Sequence, residues 1–382
     1  MKVCVATTSR SDFGLIKNLI YELKKNNFKI KLIAGGSHYS KKFGNTFDEI
    51  KDSGIHVNKK IYSKTSSDSV KNISCILSKH ISSAVKIFKD LKPDLLIVLG
   101  DRYEIFAMTI AAHISKIPIA HIHGGEITSG AVDDAFRHSI TKMSQIHFAA
   151  NKVYRKRIIQ LGENPKYVFS VGGLGVDSIN SIKLISKNDL EEKLKIKFNK
   201  KNLLVSFHPE TLKKNEAKIQ IQELLNALSN LKETSIIFTS PGLDLEHKII
   251  VKKIKIFIKR KTGTYYFPSL GQVNYLSILN TVDAIVGNSS SGILEMPTFK
   301  KATINIGDRQ EGRLKSGSII DCKINKKEIL NSLKIIYSEK FKKKIKKSIN
   351  FYGPHGASVK IVKVLKKINL KNILIKKFHD IR

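Results

Sequence analysis

Tryptophan is absent from this chain, and cysteine, proline and arginine are scarce. The three cysteines, Cys4, Cys75 and Cys322, are odd in number and lack metal-ligand spacing, which excludes a disulfide framework and a cysteine-based zinc site. That usage suits a reducing cytosol. No segment approaches the roughly twenty apolar residues of a membrane span. The opening MKVCVATTSR runs straight into a strand pattern without an apolar signal region. A soluble, cytoplasmic protein with no membrane partner is therefore expected. Acids are also in short supply: 32 Asp and Glu face 68 Lys and Arg, for a formal net charge of +36. Only nine of the bases are Arg, and the 59 Lys are spread along the chain in runs such as KKIKIFIKRK and KFKKKIKKS. Nucleic-acid sites concentrate charge on one element, with aromatics or a reading motif, and neither is present. Nucleic-acid binding is not expected; diffuse lysine reads as a compositional bias that also attracts anionic substrates. There is no Walker lysine loop, no G-x-S-x-G elbow and no histidine-pair metal motif. The GGLG at 172–175 does not open a dinucleotide-binding unit, so a nicotinamide enzyme is not expected.

What is present is strand–helix alternation over 382 residues, with 41% hydrophobic content, enough for two domains. Runs such as KVCVATT, FKIKLIAGG, HVNKKIY, IHFAA and YVFSVGG predict strands. Helical spacing fills LIKNLIYELKK, about 40 to 53, and Asp68 to Leu91 before Pro93. The alternation restarts near Gly172–Asp177, where LLVSFHPET, SIIFTSPG, TYYFPSL, DAIVGNSSSG and ATINIGDRQ predict five more strands. The basic tail from Lys371 is expected to fray.

Residues 94 to 142 hold the densest chemistry. Two apolar runs, Leu95–Leu99 and Ile117–Ile122, each end in a polar cluster, and in open α/β sheets the ligand crevice lies outside the carboxyl ends of strands. The clusters carry Asp101, Arg102, His121, His123, Glu126, Asp133, Asp134, Arg137 and His138. Singly, Asp101 could be a helix cap, and Asp133 or Asp134 could pair with Arg137 along a helix. Together they point to a catalytic cluster. Arg10 lies in the turn after the first strand, either at an anionic ligand or in a surface ion pair. In the second half, His208 follows a strand beside Pro209. GNSSSGILE sets Ser289, Ser290 and Ser291 where a strand gives way to a helix, a place whose free N–H groups and hydroxyls suit phosphate. Glu295, one turn on, can accept hydrogen bonds from a ribose. Arg309 and Arg313 follow a further strand and suit bidentate phosphate contacts or closure of a cleft.

In order along the chain, LGDRYEIFA, HIHGGE, the DD preceding FRHSITK, FHPET, GNSSSGILE and INIGDRQEGR resemble the hydrolysing UDP-N-acetylglucosamine 2-epimerases of sialic acid biosynthesis. The resemblance runs from Ser9–Arg10 to about Gly356. It implies an α/β chain of two Rossmann-like domains with parallel sheets, facing across a cleft as in the GT-B architecture. The expected boundaries are 1–175, 176–356, and a C-terminal helix and tail over 357–382 that return to the first domain. It assigns the uridine diphosphate to His208, Ser289, Ser290, Glu295 and Arg309, shared with Ser291, Arg313 and Arg10. The sugar end falls to Asp101, Glu126, Asp133, Asp134 and Arg137. A homo-oligomer, dimer or tetramer, is implied, with neither metal nor cofactor.

The implied reaction expels UDP from C1 and removes the C2 proton to give a 2-acetamidoglucal, which water converts to N-acetylmannosamine with C2 inverted. Two groups with separated pKa values are needed, and crowded acids supply them. Asp101 and Asp133 are the expected proton-transfer groups and Glu126 their partner. Many relatives read H-I-E-G-G-E, whereas this chain has His123 at the first glutamate, which makes His123 a candidate substitute acid. The wording favours the sialic acid branch over the same reaction on the diacetamido-trideoxyhexose nucleotide of legionaminic acid synthesis. A GT-B glycosyltransferase would not need so dense an acidic cluster. The non-hydrolysing epimerase is disfavoured because H-V-E-A-G wording is absent, and a polyanion-binding protein would tolerate loss of Asp101.

Overall fold

The computed structural model describes residues 1–39, 47–63, 69–128, 132–209, 216–241, 246–353 and 355–381. The start of the helix expected over 40–53, Asp68, and Glu210 and Thr211 of FHPET lie outside the described residues. The chain forms two compact units: Met1–Glu126 with Asp133–Ser181 and Pro354–Arg382, and Ile127–Val132 with Ile182–Gly353.

In the first unit the strands are β1 (Lys2–Thr7), β2 (Lys29–Ala34), β3 (Val57–Lys60), β4 (Leu95–Leu99), β5 (Ile119–Ile122), β6 (Ile146–Ala149) and β7 (Val168–Ser170). All neighbours are parallel, in the order β3-β2-β1-β4-β5-β6-β7. Successive side chains of a strand point to opposite faces, and both faces are covered. Val3, Val5, Leu95 and Ile97 pack on helix Arg10–Lys25 and on Ile361, Val362 and Leu365 of helix Ala357–Lys367. Cys4, Ala6, Leu96 and Val98 pack on Ala84, Phe88, Ile105 and Met108 of helices Val70–Leu91 and Tyr103–Ile114. Two-sided burial explains why these strands read as continuous apolar runs.

The first unit extends through Ser181, past the boundary expected after residue 175. Helix Leu174–Ser181 is tied to helix Arg10–Lys25: Ser178 Oγ donates to Gly14 O at 3.1 Å and Asn18 Nδ2 to Ser181 Oγ at 2.7 Å. The tail, expected to fray, makes specific contacts with the first unit. Ile373 enters the core at 6% exposure. Lys376 Nζ donates to the carbonyls of Lys142 and Ser144, both at 2.7 Å, and lies 2.6 Å from the buried carboxylate of Glu163. The Phe378 ring covers Gly162, whose carbonyl accepts from His379 N at 3.0 Å. The buried Glu163, which also bonds Lys142 and His147, anchors the tail through Lys376 in spite of the tail's exposed composition.

In the second unit the strands are β8 (Lys201–Ser206), β9 (Thr234–Thr239), β10 (Thr264–Phe267), β11 (Ala284–Gly287), β12 (Ala302–Ile306) and β13 (Ile319–Cys322). They too are all parallel, in the order β10-β9-β8-β11-β12-β13. Five were expected. β13 escapes notice because it is a half-buried edge strand of four residues carrying the exposed Asp321. In each sheet the strand order reverses once, between β1 and β4 and between β8 and β11. The chain leaves the carboxyl ends of those strands through the polar motifs, where open α/β sheets bind ligands. No described helix is long and apolar enough to cross a membrane.

Candidate active site

In the first unit the acids gather where β4 and β5 end. Gly100 turns the chain at φ +76°, and Asp101 follows it. Its carboxylate is bonded by Arg137 Nη2. Arg137, 3% exposed on helix Asp133–Met143, also donates through Nη1 to Asp134 Oδ1 at 3.2 Å and to the Glu126 carbonyl at 3.0 Å. One guanidinium thus joins the ends of two strands to the first turn of a helix. A buried arginine needs such partners, since an unpaired charge there is costly. Asp134 also lies 3.4 Å from His138 Nε2. Burial pushes the His138 pKa down against the pull of Asp134, so the imidazole favours its neutral form. Asp133 precedes it as the first residue of the helix, half-buried.

The HIHGGE turn is built by packing. His121, fully buried, donates from Nε2 to the Gly100 carbonyl at 2.8 Å, steadying the residue before Asp101. Burial pushes the His121 pKa down to about 3, so it is a neutral strut. Gly125 has φ +76°, and a Cβ there would lie 2.5 Å from the Tyr154 carbonyl oxygen, so only glycine lets the turn meet helix Lys152–Gln160. The Gly125 carbonyl accepts from Arg157 Nη1 at 2.6 Å. His123 and Glu126 are 8% and 2% exposed, with Nδ1 to Oε1 at 2.8 Å. Sequence reading singled out Asp101, Glu126, Asp134 and Arg137, and the fold gathers them. It named His121 only as a member of the cluster and passed over Arg157.

A second buried group surrounds the end of β1. Asp12 accepts from Thr8 Oγ1 at 2.9 Å, and Arg102 Nε donates to Glu104 Oε2 at 3.2 Å. Burial raises the Asp12 pKa, opposed by the nearby Arg102 charge. Burial raises the Glu49 pKa, opposed by the charge of Arg10, which is half-buried at the start of its helix.

In the second unit Asn288, fully buried, organises the motifs after β8, β11 and β12. Its Oδ1 accepts from His208 N at 2.7 Å, and its Nδ2 donates to His208 O at 2.8 Å. Its own carbonyl accepts from Arg309 Nη1 at 3.1 Å and from Gln310 Nε2 at 2.9 Å. FHPET, GNSSSG and GDRQEGR therefore converge on one asparagine that sequence reading passed over. Gly287, at φ +136°, brings the backbone against the Ser206 carbonyl so closely that a Cβ would collide with it. Ser289, Ser290 and Ser291 are half-buried. The helix they open is four residues long, Ser291–Leu294, before the turn containing Pro297, and its first amides are bonded within the turn, Ser291 N to Ser289 Oγ at 3.4 Å and Gly292 N to Ser289 O at 3.2 Å, so the serine hydroxyls are the groups that can meet an anion. Burial pushes the Glu295 pKa up to about 7, with the Ser291 hydroxyl opposing it. Arg313 Nη2 donates to Thr128 Oγ1 at 3.4 Å. Among the described residues, no three His, Cys, Asp or Glu gather as a metal site.

Known proteins resemble this chain in sequence and in fold. The family model described as UDP-N-acetylglucosamine 2-epimerase matches residues 21–366. A Campylobacter jejuni protein named GDP/UDP-N,N'-diacetylbacillosamine 2-epimerase (hydrolyzing) is 37% identical, covering 100% of this chain and 99% of its own. The polysialic acid biosynthesis protein P7 of Escherichia coli is 38% identical, with 100% and 97% covered. The crystal structure of the Neisseria meningitidis UDP-GlcNAc 2-epimerase bound to UDP-GlcNAc superposes with TM-score 0.84 at 21% identity, covering 96% of this chain and all of that one. The chain belongs to the UDP-N-acetylglucosamine 2-epimerase family.

Proposed function

We propose that the protein is a hydrolysing 2-epimerase that converts UDP-N-acetylglucosamine to N-acetylmannosamine and UDP. The observation that carries this reading is the Asp101–Arg137–Asp134 group beside Glu126, in a chain of this family. The second unit holds the pyrophosphate on the hydroxyls of Ser289–Ser291, with Arg309 and His208, while Glu295 accepts from the ribose. The first unit acts on the sugar. C2–H is a weak acid, so C1–O cleavage runs ahead, and the leaving electron pair departs with UDP. A carboxylate beside the oxocarbenium-like centre stabilises it and takes the C2 proton, giving the glucal. Water then adds its oxygen at C1 as a second acid delivers a proton to the opposite face of C2, the water's remaining proton recharges that acid, and the first carboxylate loses the C2 proton to solvent. Asp101 and Asp133 carry these transfers; Asp134, held by Arg137 and His138, positions the arginine.

A second reading has at least equal support. The Campylobacter relative is named for a diacetamido sugar nucleotide, and the same acids would perform the same steps on it. Purified protein incubated with each nucleotide in heavy water, followed by proton NMR, separates the two. UDP and N-acetylmannosamine deuterated at C2 support the first reading. Turnover of the diacetamido nucleotide alone supports the second. Release of unlabelled N-acetylglucosamine removes both.

A further inference from the structure

His123 stands where a proton-transfer acid is expected, yet its surroundings fix it differently. It occupies the left-handed region at φ +65°, with its backbone N–H bonded to Phe148 O at 3.0 Å, which fixes the backbone just past the end of β5. Both ring nitrogens are engaged. Leu174 N, the first amide of helix Leu174–Ser181, donates to Nε2 at 3.3 Å. A first-turn amide has no acceptor within its own helix and is only a donor. Nε2 must therefore offer its lone pair, and the ring proton sits on Nδ1, 2.8 Å from Glu126 Oε1.

The helix that supplies this amide is itself clamped. Asp177, on the same helix, accepts from the backbone N–H groups of Gly356, Ala357 and Ser358 at 2.5, 2.9 and 2.6 Å. A continuous series of bonds runs from the start of helix Ala357–Lys367 through Asp177, the Leu174 amide and His123 to the carboxylate of Glu126. The geometry points to His123 as a positioning residue: a neutral Nδ1–H imidazole that orients Glu126 and exchanges no proton with the sugar. The inference rests on the proposed reading in that Glu126 serves the sugar chemistry.

The tautomer can be read without turnover. In enzyme with ¹⁵N-labelled histidine, the signal lost in His123→Asn should show an Nδ1–H and a pyridine-like Nε2 at neutral pH. An Nε2–H tautomer or an imidazolium there overturns the inference. Turnover supplies the second arm. Asparagine accepts the left-handed backbone, and its Nδ2 stands in for Nδ1 as donor but cannot act as an acid. His123→Ala should lower kcat by about a hundredfold with KM little changed, and His123→Asn should recover at least about tenfold of that. Adding Glu126→Gln to His123→Ala should cost much less than it does alone, because the two act as one unit. If His123→Asn is as slow as His123→Ala while both bind UDP normally, and one limb of the wild-type pH–rate profile disappears in both, the imidazole is transferring a proton. A wild-type enzyme idle on both nucleotides sinks the functional reading instead, and the NMR arm still decides the tautomer.

Discussion

The Asp177 carboxylate and the Ala357 amide, 180 residues apart in sequence, meet at 2.9 Å, and through that bond one helix caps another. An N-cap acceptor is normally local, from the residue just before its helix. Here Gly356 precedes the helix and has no side chain to serve, so the acceptor comes from helix Leu174–Ser181. Asp177→Ala should destabilise the first unit by about 2 kcal/mol, the upper range for a lost cap. Asp177→Asn, which keeps an acceptor oxygen, should lose less. Thermal unfolding of the two variants checks the order.

Acid should loosen the tail in a defined window. Burial would raise the Glu163 pKa, but the hydrogen bond and charge of His147 and the hydrogen bonds from Lys142 and Lys376 outweigh it and hold the pKa down at about 2. A depressed carboxylate pKa contributes stability above its ordinary value near 4.5, lost as pH falls towards 2. The displacement corresponds to roughly 3 kcal/mol. Lys376→Met keeps the apolar stem and removes the cation. Amide exchange at Ile373 and His379 should then be faster than in wild type at neutral pH, with the difference shrinking in acid.

Glu295 should behave with the opposite sign. Its pKa is raised by burial to about 7, so the folded protein holds a proton that the unfolded chain releases above about 4.5. Stability from this site is full below that pH and declines as pH rises to 7. Glu295→Gln removes the titration, and its stability relative to wild type should increase over that interval by up to about 3 kcal/mol. Denaturant titrations at matched pH values measure this directly.

Asp133 and Asp134 should separate by phenotype. Asp134 helps compensate the buried Arg137 charge, so Asp134→Asn should lower both turnover and melting temperature. Asp133→Asn should lower kcat by about a hundredfold or more. Arg137→Lys should lose turnover strongly as well, because a single ammonium cannot reproduce the forked contacts to Asp101 and Asp134. An Asp133→Asn enzyme with near wild-type kcat would contradict the role given to Asp133 in proton transfer.

Much of the framework was legible because strands covered on both faces must be apolar at every position, as in Leu95–Leu99. The acids that end those strands were legible for the same reason: they are polar where the apolar pattern stops. β13 was not, since an edge strand of four half-buried residues carries no periodic signal. Neither was Asn288, whose role depends on three loops distant in sequence. Lysine content predicted a loose tail, and only the position of Glu163 shows where Lys376 goes. Composition reports what a segment can do alone; these three cases are decided by partners.

The first unit closes its core with Ala357, Ile361, Val362, Leu365 and Ile373, which leave the ribosome after all of Ile182–Gly353. The first core therefore cannot be complete until the whole second unit has been translated. The second sheet can mature while the first, already translated, still exposes the apolar face of β1 and β4 to the cell. During that interval the nascent chain carries an unpaid aggregation hazard, and premature termination near residue 353 would yield a finished second unit attached to an unfinished first one.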